Sequence, residues 1–176
     1  MGQERPAPTH LRLAVDISAS MYTAERMAHA RRMAFICVRA AQLAGVPVVA
    51  VAFDHQVHPL VGPKTLAQTA LNAVAGMRPL GDTALSPALR ALWKHALPGK
   101  SLTIILTDGQ LAAMDYRLCR ELKEQHDGQV VPILLHPNEQ IRTQYEQTFG
   151  RCVRMDDPAQ LTDHVVSFLR GKLKRV

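Results

Sequence analysis

Five side chains stand where their types and spacing can do chemistry: Asp16, Ser18 and Ser20 in the run Asp16-Ile17-Ser18-Ala19-Ser20, Thr83 within Gly81-Asp82-Thr83, and Asp108 just before Gly109. All are hard oxygen donors, two of them carboxylates and three neutral hydroxyls. Such a set suits Mg²⁺, which takes six oxygens at about 2.0–2.1 Å and usually keeps some waters, and Mn²⁺ accepts the same donors. Zinc would ask for His or Cys, and Ca²⁺ for more carboxylates and carbonyls. Were Asp16 to Ser20 a straight strand, its ends would lie about 13 Å apart at roughly 3.3 Å per residue, too far to share one small ion. The segment therefore has to curl into a loop.

The elements that must hold these loops are legible as alternating patterns. Short apolar runs at Leu11–Val15, Val48–Phe53, Leu102–Leu106 and Val130–Leu135 read as strands covered on both faces, with Val57–Val61 a returning edge strand and Cys152–Met155 a brief last one. Between them lie helical patterns. Thr23–Ala44 places Met27, Ala30, Ala34, Val38 and Ala41 on one face, and Thr65–Ala75 is expected to turn Leu66, Thr69, Ala70 and Ala73 inward. Ser86-Pro87 reads as an N-cap followed by proline at the first helical position, leading into Leu89, Leu92, Trp93, Ala96 and Leu97. Asp115–His126 carries Leu118, Cys119 and Leu122, Asn138 caps a helix with Ile141, Tyr145, Thr148 and Phe149, and Asp157-Pro158 opens a last helix with a basic end. Strands alternating with helices, with one hairpin, predict an α/β fold: a doubly wound, mostly parallel six-stranded sheet with one short antiparallel edge strand. In such a sheet ligands bind beyond the carboxyl ends of the strands, where the strand order reverses. Asp16 and Asp108 both follow strands.

At this point the chain resembles the von Willebrand factor A family, which includes integrin I domains. Their metal-ion-dependent adhesion site has the form DxSxS, then a distant Thr, then a distant Asp, matched by Asp16, Ser18, Ser20, Thr83 and Asp108. The likeness runs from about Leu11 to Leu173 in strand and helix order, and Ala19 departs from the glycine that many members carry. It implies that Ser18, Ser20 and Thr83 contact a Mg²⁺ or Mn²⁺ ion, with Asp16 and Asp108 ligating directly or through water. With neutral hydroxyls nearest, the ion stays incompletely neutralised, and a Glu or Asp on an acidic partner surface completes its shell. The bland alternative is that Asp16 and Ser18 cap the first helix and Asp108 a turn, which leaves the coincidence with Thr83 unexplained.

The 176 residues, 47% hydrophobic and 20% charged, suit one domain, with a polar arm over 1–10 and the domain over 11–176. A net charge of +6 favours acidic partners. Cys37, Cys119 and Cys152 are odd in number and widely spaced, so they read as structural thiols. No apolar run approaches a membrane span, and the polar start with Pro6 and Pro8 is unlike a signal peptide, so a cytoplasmic location is expected. Within the family, the short loops are similar to the intracellular members that serve AAA+ ATPases, such as MoxR-type machines and metal chelatases. His55 and His58 beside Asp54 read as hairpin residues without a further ligand. Arg31, Arg32 and Arg39, with Lys172, Lys174 and Arg175, read as a solvated basic face, because aromatics at 5% give little base-stacking surface. No GxGxxG or Walker A sequence occurs, and no histidine lies within the three candidate loops to activate a serine. No catalytic constellation is therefore assigned. A metal-dependent, phosphoesterase-like hydrolase and a nucleic-acid-associated scaffold are the competing classes.

Overall fold

The computed structural model describes residues 10–62, 65–77, 81–95, 97, 99 and 101–155. Its elements run β1 (His10–Asp16), α1 (Ala24–Leu43), β2 (Val48–Phe53), β3 (Val57–Val61), α2 (Ala67–Ala75), α3 (Ser86–Trp93), β4 (Ser101–Thr107), α4 (Ala113–Gln125), β5 (Gln129–Leu135), α5 (Glu139–Phe149) and β6 (Val153–Met155). A short 3₁₀ turn over Ala19–Tyr22 links β1 to α1. The expected helix from Asp157 and the basic tail lie outside the described residues.

The six strands form one sheet in the order β3-β2-β1-β4-β5-β6. All neighbours pair in parallel except β2 and β3, the expected hairpin. Pro59 sits in β3, the outermost strand, where a missing N–H is tolerated and further strand pairing is discouraged. Every residue of β1, β2 and β4 is buried, which explains why these strands read as continuous apolar runs instead of alternating ones. One face of the sheet packs Leu13, Val15 and Ile104 against Met27, Ala34 and Val38 of α1 and Ala70 and Val74 of α2. The other packs Ala14, Phe53 and Ile105 against Leu89 and Leu92 of α3, Cys119 of α4 and Tyr145 and Phe149 of α5.

Two helix expectations are corrected. In α2 the inward residues are Ala70, Leu71 and Val74, whereas Leu66 is 76% exposed and Thr69 is also exposed. The nine-residue segment has apolar residues on several sides, and contact with α1 selects the face. In α3 Ser86 is already helical and does not act as the cap. The Asp115 carboxylate of α4 instead accepts from Leu85 N (2.6 Å), Ser86 N (3.2 Å) and Ser86 Oγ (2.5 Å), so the cap comes from another element. Asn138 does cap α5, accepting from Ile141 N at 2.8 Å, and Gly150 closes it. The three cysteines are free; Cys37 and Cys119 are buried and Cys152 half-buried.

Candidate functional site

Strand order reverses at β1: the chain leaves it towards β2 on one side, and β4 lies on the other. Their carboxyl ends therefore open a crevice between diverging connections, and Asp16 closes β1 while Asp108 follows β4. Both are buried, at 0% and 3% exposure, which is unusual for carboxylates without strong partners.

The first loop curls as the spacing requires. Asp16 Oδ1 accepts Ser18 N at 2.8 Å, which folds the chain back after one residue and sets the Ser18 and Ser20 hydroxyls 3.0 Å apart. Asp16 Oδ2 accepts the Thr107 hydroxyl at 2.6 Å, and Thr107 Oγ1 in turn accepts Gly109 N at 2.9 Å. Thr107 thus binds the ends of β1 and β4 together across the sheet. Asp108 Oδ1 accepts Gln110 N at 3.4 Å. Gly109 has φ +92°, and a methyl group there would run into Ile141 Cγ2, so α5 presses directly on the backbone that presents Asp108.

The third loop docks through its backbone. Gly81 O accepts Ala19 N at 2.7 Å, between the two serines, and Asp54 O accepts Ala84 N at 2.7 Å. Thr83 lies half-buried between these two anchors. Among the described residues its loop is tied to the loop of Ser18 and Ser20 through backbone, at Ala19, and not through the Thr83 hydroxyl. Gly81 has φ +54°, and a Cβ there would stand 2.6 Å from His55 Nδ1 and 3.1 Å from Asp54 Oδ2. His55 and His58 belong to the hairpin as expected, yet Asp54 is 2% exposed and holds Gln56 N at 2.7 Å and His58 Nε2 at 3.1 Å. Burial pushes the Asp54 carboxyl up, but the Gln56 N–H and the two imidazoles outweigh it and hold it below the usual range. No histidine belongs to the three loops, but one leans against the third.

The structure thus brings Asp16, Ser18, Ser20 and Asp108 to one edge, with Thr83 on the adjoining loop. Burial pushes the Asp16 carboxyl up to about 6, with Asp108 adding to the rise and the Ser18 and Thr107 donors opposing it. Arg26 is the cation at the site: its Nη1 donates to Ser20 O at 3.1 Å and to Asp108 Oδ2 at 3.4 Å. Sequence patterning did not single out Arg26 or Thr107, and named Asp54 only beside the hairpin histidines. Thr107 is a hydroxyl at a strand end next to Asp108, a local signal that could have found it; Arg26 carries none.

Chemically, the edge offers two carboxylates, one of them poorly compensated, and a hydroxyl pair aligned within 3.0 Å. Those donors fit a small, hard divalent ion. Among the described residues no group of three or more His, Cys, Asp or Glu is arranged to hold a metal.

A family model described as von Willebrand factor type A domain matches residues 11–110, more than half of the chain. No curated protein matches. Among solved structures, a von Willebrand factor type A protein from Catenulispora acidiphila superposes with a TM-score of 0.76 at 18% identity, covering 95% of this chain and 43% of its own. The pilus adhesin SpaC from Lactobacillus rhamnosus GG, in its open conformation, gives 0.76 at 15% identity, covering 98% of this chain and 30% of its own. The conserved hypothetical protein BatB from Bacteroides thetaiotaomicron gives 0.77 at 16% identity, covering 96% of this chain and 100% of its own. The chain therefore spans less than half the length of the first two. At these identities the superpositions speak for the fold alone.

Proposed function

Because the chain belongs to the von Willebrand factor type A domain family, whose members commonly mediate protein–protein interaction and adhesion, we propose that it is a Mg²⁺-dependent binding module for an acidic side chain of a partner. The observation that carries this reading is the meeting of two buried carboxylates and a hydroxyl pair at the strand-order reversal. Ser18, Ser20 and Thr83 would hold the ion with Asp16 and Asp108, and Mn²⁺ would serve in its place. When bound, the ion supplies an electrophilic position for a carboxylate oxygen. The chain's own groups prepare that position: Thr107 and the Ser18 N–H orient Asp16, and the Gly81 and Asp54 carbonyls fix the Thr83 loop.

Charge supports the choice of ligand. Asp16 and Asp108 against Arg26 leave one negative charge, and a divalent ion turns that into one positive charge in a chain of net +6. A Glu or Asp on the partner neutralises it. SpaC, which shares the fold, is described as a pilus adhesin, so the architecture serves attachment there. The partner we propose is a cytoplasmic AAA+ ATPase or its substrate, in keeping with α4 being the one described helix between Asp108 and β5. Among the described residues no helix is long and apolar enough to cross a membrane.

The test is capture from native lysate on immobilised wild type and Asp16→Ala, each in Mg²⁺ or EDTA. The partner is expected on wild type in Mg²⁺ and lost with either change. Capture unaffected by both contradicts the proposal. Metal-dependent turnover of a phosphoester would favour a hydrolase instead, and nucleic-acid binding that weakens steeply with salt would favour a scaffold.

A further inference from the structure

The proposed metal site contains a cation of its own. Arg26 stands in the first turn of α1, six residues beyond Ser20, and its Nη1 reaches both the Ser20 carbonyl (3.1 Å) and the Asp108 carboxylate (3.4 Å). One nitrogen thereby ties the DxSxS loop to the Asp108 loop. The Arg26 side chain is 30% exposed and pairs with a carboxylate that is 3% exposed. Asp16 receives only neutral donors, from Ser18 N and Thr107 Oγ1, and makes no ion pair among the described residues. The two carboxylates are therefore treated differently. Asp108 has a counter-ion in place and Asp16 does not.

Resting on the metal-site reading above, we propose that Arg26 is a resident counter-ion that competes with the divalent ion for Asp108 and lowers the site's affinity for it. The physical argument has two parts. A carboxylate oxygen shared with a guanidinium is a weaker donor to a metal than a free one, and two positive charges gathered on one partly desolvated carboxylate repel each other. Without an ion, Arg26 holds the two loops together by the Ser20 carbonyl and Asp108. Loading requires that it let Asp108 go, and a side chain that is 30% exposed can turn towards water. The site is thus biased towards the ion-free state and fills at a higher ion concentration than its donors alone would set.

The experiment is isothermal titration of MnCl₂ into wild type, Arg26→Gln and Arg32→Gln, with Asp16→Ala as the site-dead control and circular dichroism to show that each variant is folded. Arg32 is exposed on the same helix, so its replacement removes the same charge without touching the site. Arg26→Gln is expected to tighten Mn²⁺ binding about five- to tenfold, as for loss of a partly buried ion pair plus the repulsion it adds, with Arg32→Gln within about twofold of wild type. Binding seen in Arg26→Gln but too weak to detect in wild type also supports the proposal. Equal affinity in wild type and Arg26→Gln overturns it while leaving the metal site standing, as does equal tightening in both arginine variants, which would make the effect one of overall charge. Weaker binding in Arg26→Gln overturns it too and makes Arg26 a support of the loops. No Mn²⁺ binding by any folded form overturns the metal-site reading, and this inference falls with it.

Discussion

The two ends of the sheet both bury polar groups, and they treat them in opposite ways. At the amino end of β1, Arg12 is 5% exposed, yet its guanidinium is spent on the protein itself: it donates to Leu92 O, to His95 O at 2.8 Å and to His10 Nε2 at 3.3 Å. Beside it Trp93 stacks on His126 with ring centroids 4.0 Å apart, and their polar atoms go to Thr103 Oγ1 at 3.1 Å and Ser101 Oγ at 3.2 Å. Burial, helped by Arg12 and Lys123, presses the His126 imidazole down to about 4, so it is neutral at physiological pH. At the carboxyl end lie two buried carboxylates of which Asp108 has Arg26 as a counter-ion and Asp16 has none, and burial, with Asp108 adding to it, pushes Asp16 up to about 6. The first end is a polar lock that closes α3 onto the sheet. The second leaves one buried carboxylate without a counter-charge, and that is where the proposed divalent ion would act.

Three substitutions sharpen this contrast. The largest effect is expected from Gly109→Ala. The φ of +92° and the collision with Ile141 Cγ2 should cost about 3–5 kcal/mol in urea unfolding, and Asp108 should be pushed out of place. If Gly109→Ala is as stable as wild type, α5 does not press on the Asp108 loop. Next comes Arg12→Met, which keeps the volume but strands the Leu92 and His95 carbonyls. A loss of about 2–4 kcal/mol is expected, with any metal response unaltered, since the lock is structural. A change in Mn²⁺ affinity would break the separation of the two ends.

Asp16→Asn should have the smallest effect on stability and the opposite sign. The folded-state pKa of Asp16, about 6, lies above its ordinary 3.8, so the group favours folding at low pH and loses that advantage as pH rises through about 6. The ionised form then costs about 2–3 kcal/mol at neutral pH. Asparagine removes the charge but turns an N–H towards the Thr107 hydroxyl, so the net gain should be about 1–2 kcal/mol. Urea unfolding from pH 4 to 8 without divalent ions checks it: the variant's advantage should be absent near pH 4, grow towards about pH 6 and level off. An advantage that is constant with pH would mean that Asp16 is not the strained carboxylate.

How much of this was legible in the sequence follows from what is local. The strands showed themselves because burial on both faces makes a run such as Val48–Phe53 apolar throughout, and the placing of Asp16 and Asp108 at strand ends followed from those strands. What could not be read depends on contacts distant in the chain. Ser86-Pro87 has the local form of a cap, but Asp115, from another helix, takes the backbone N–H groups. In α2, Leu66 and Leu71 compete for the inward face, and only packing against α1 chooses Leu71. Arg26 is one of several arginines on α1, and nothing in its neighbours foretells a reach to Asp108 across 82 positions. Asp54 looked like part of an exposed turn and proved to anchor the loop that carries Thr83.

The central claim is the proposal that a divalent ion binds at this edge of the sheet. Paramagnetic broadening of backbone amide resonances by trace Mn²⁺ tests it most directly. The account predicts broadening at residues 16–20, 81–84 and 107–110, reversed by excess Mg²⁺ and absent in Asp16→Ala. Broadening centred on His55 and His58 instead, or broadening that survives Asp16→Ala and excess Mg²⁺, would contradict it.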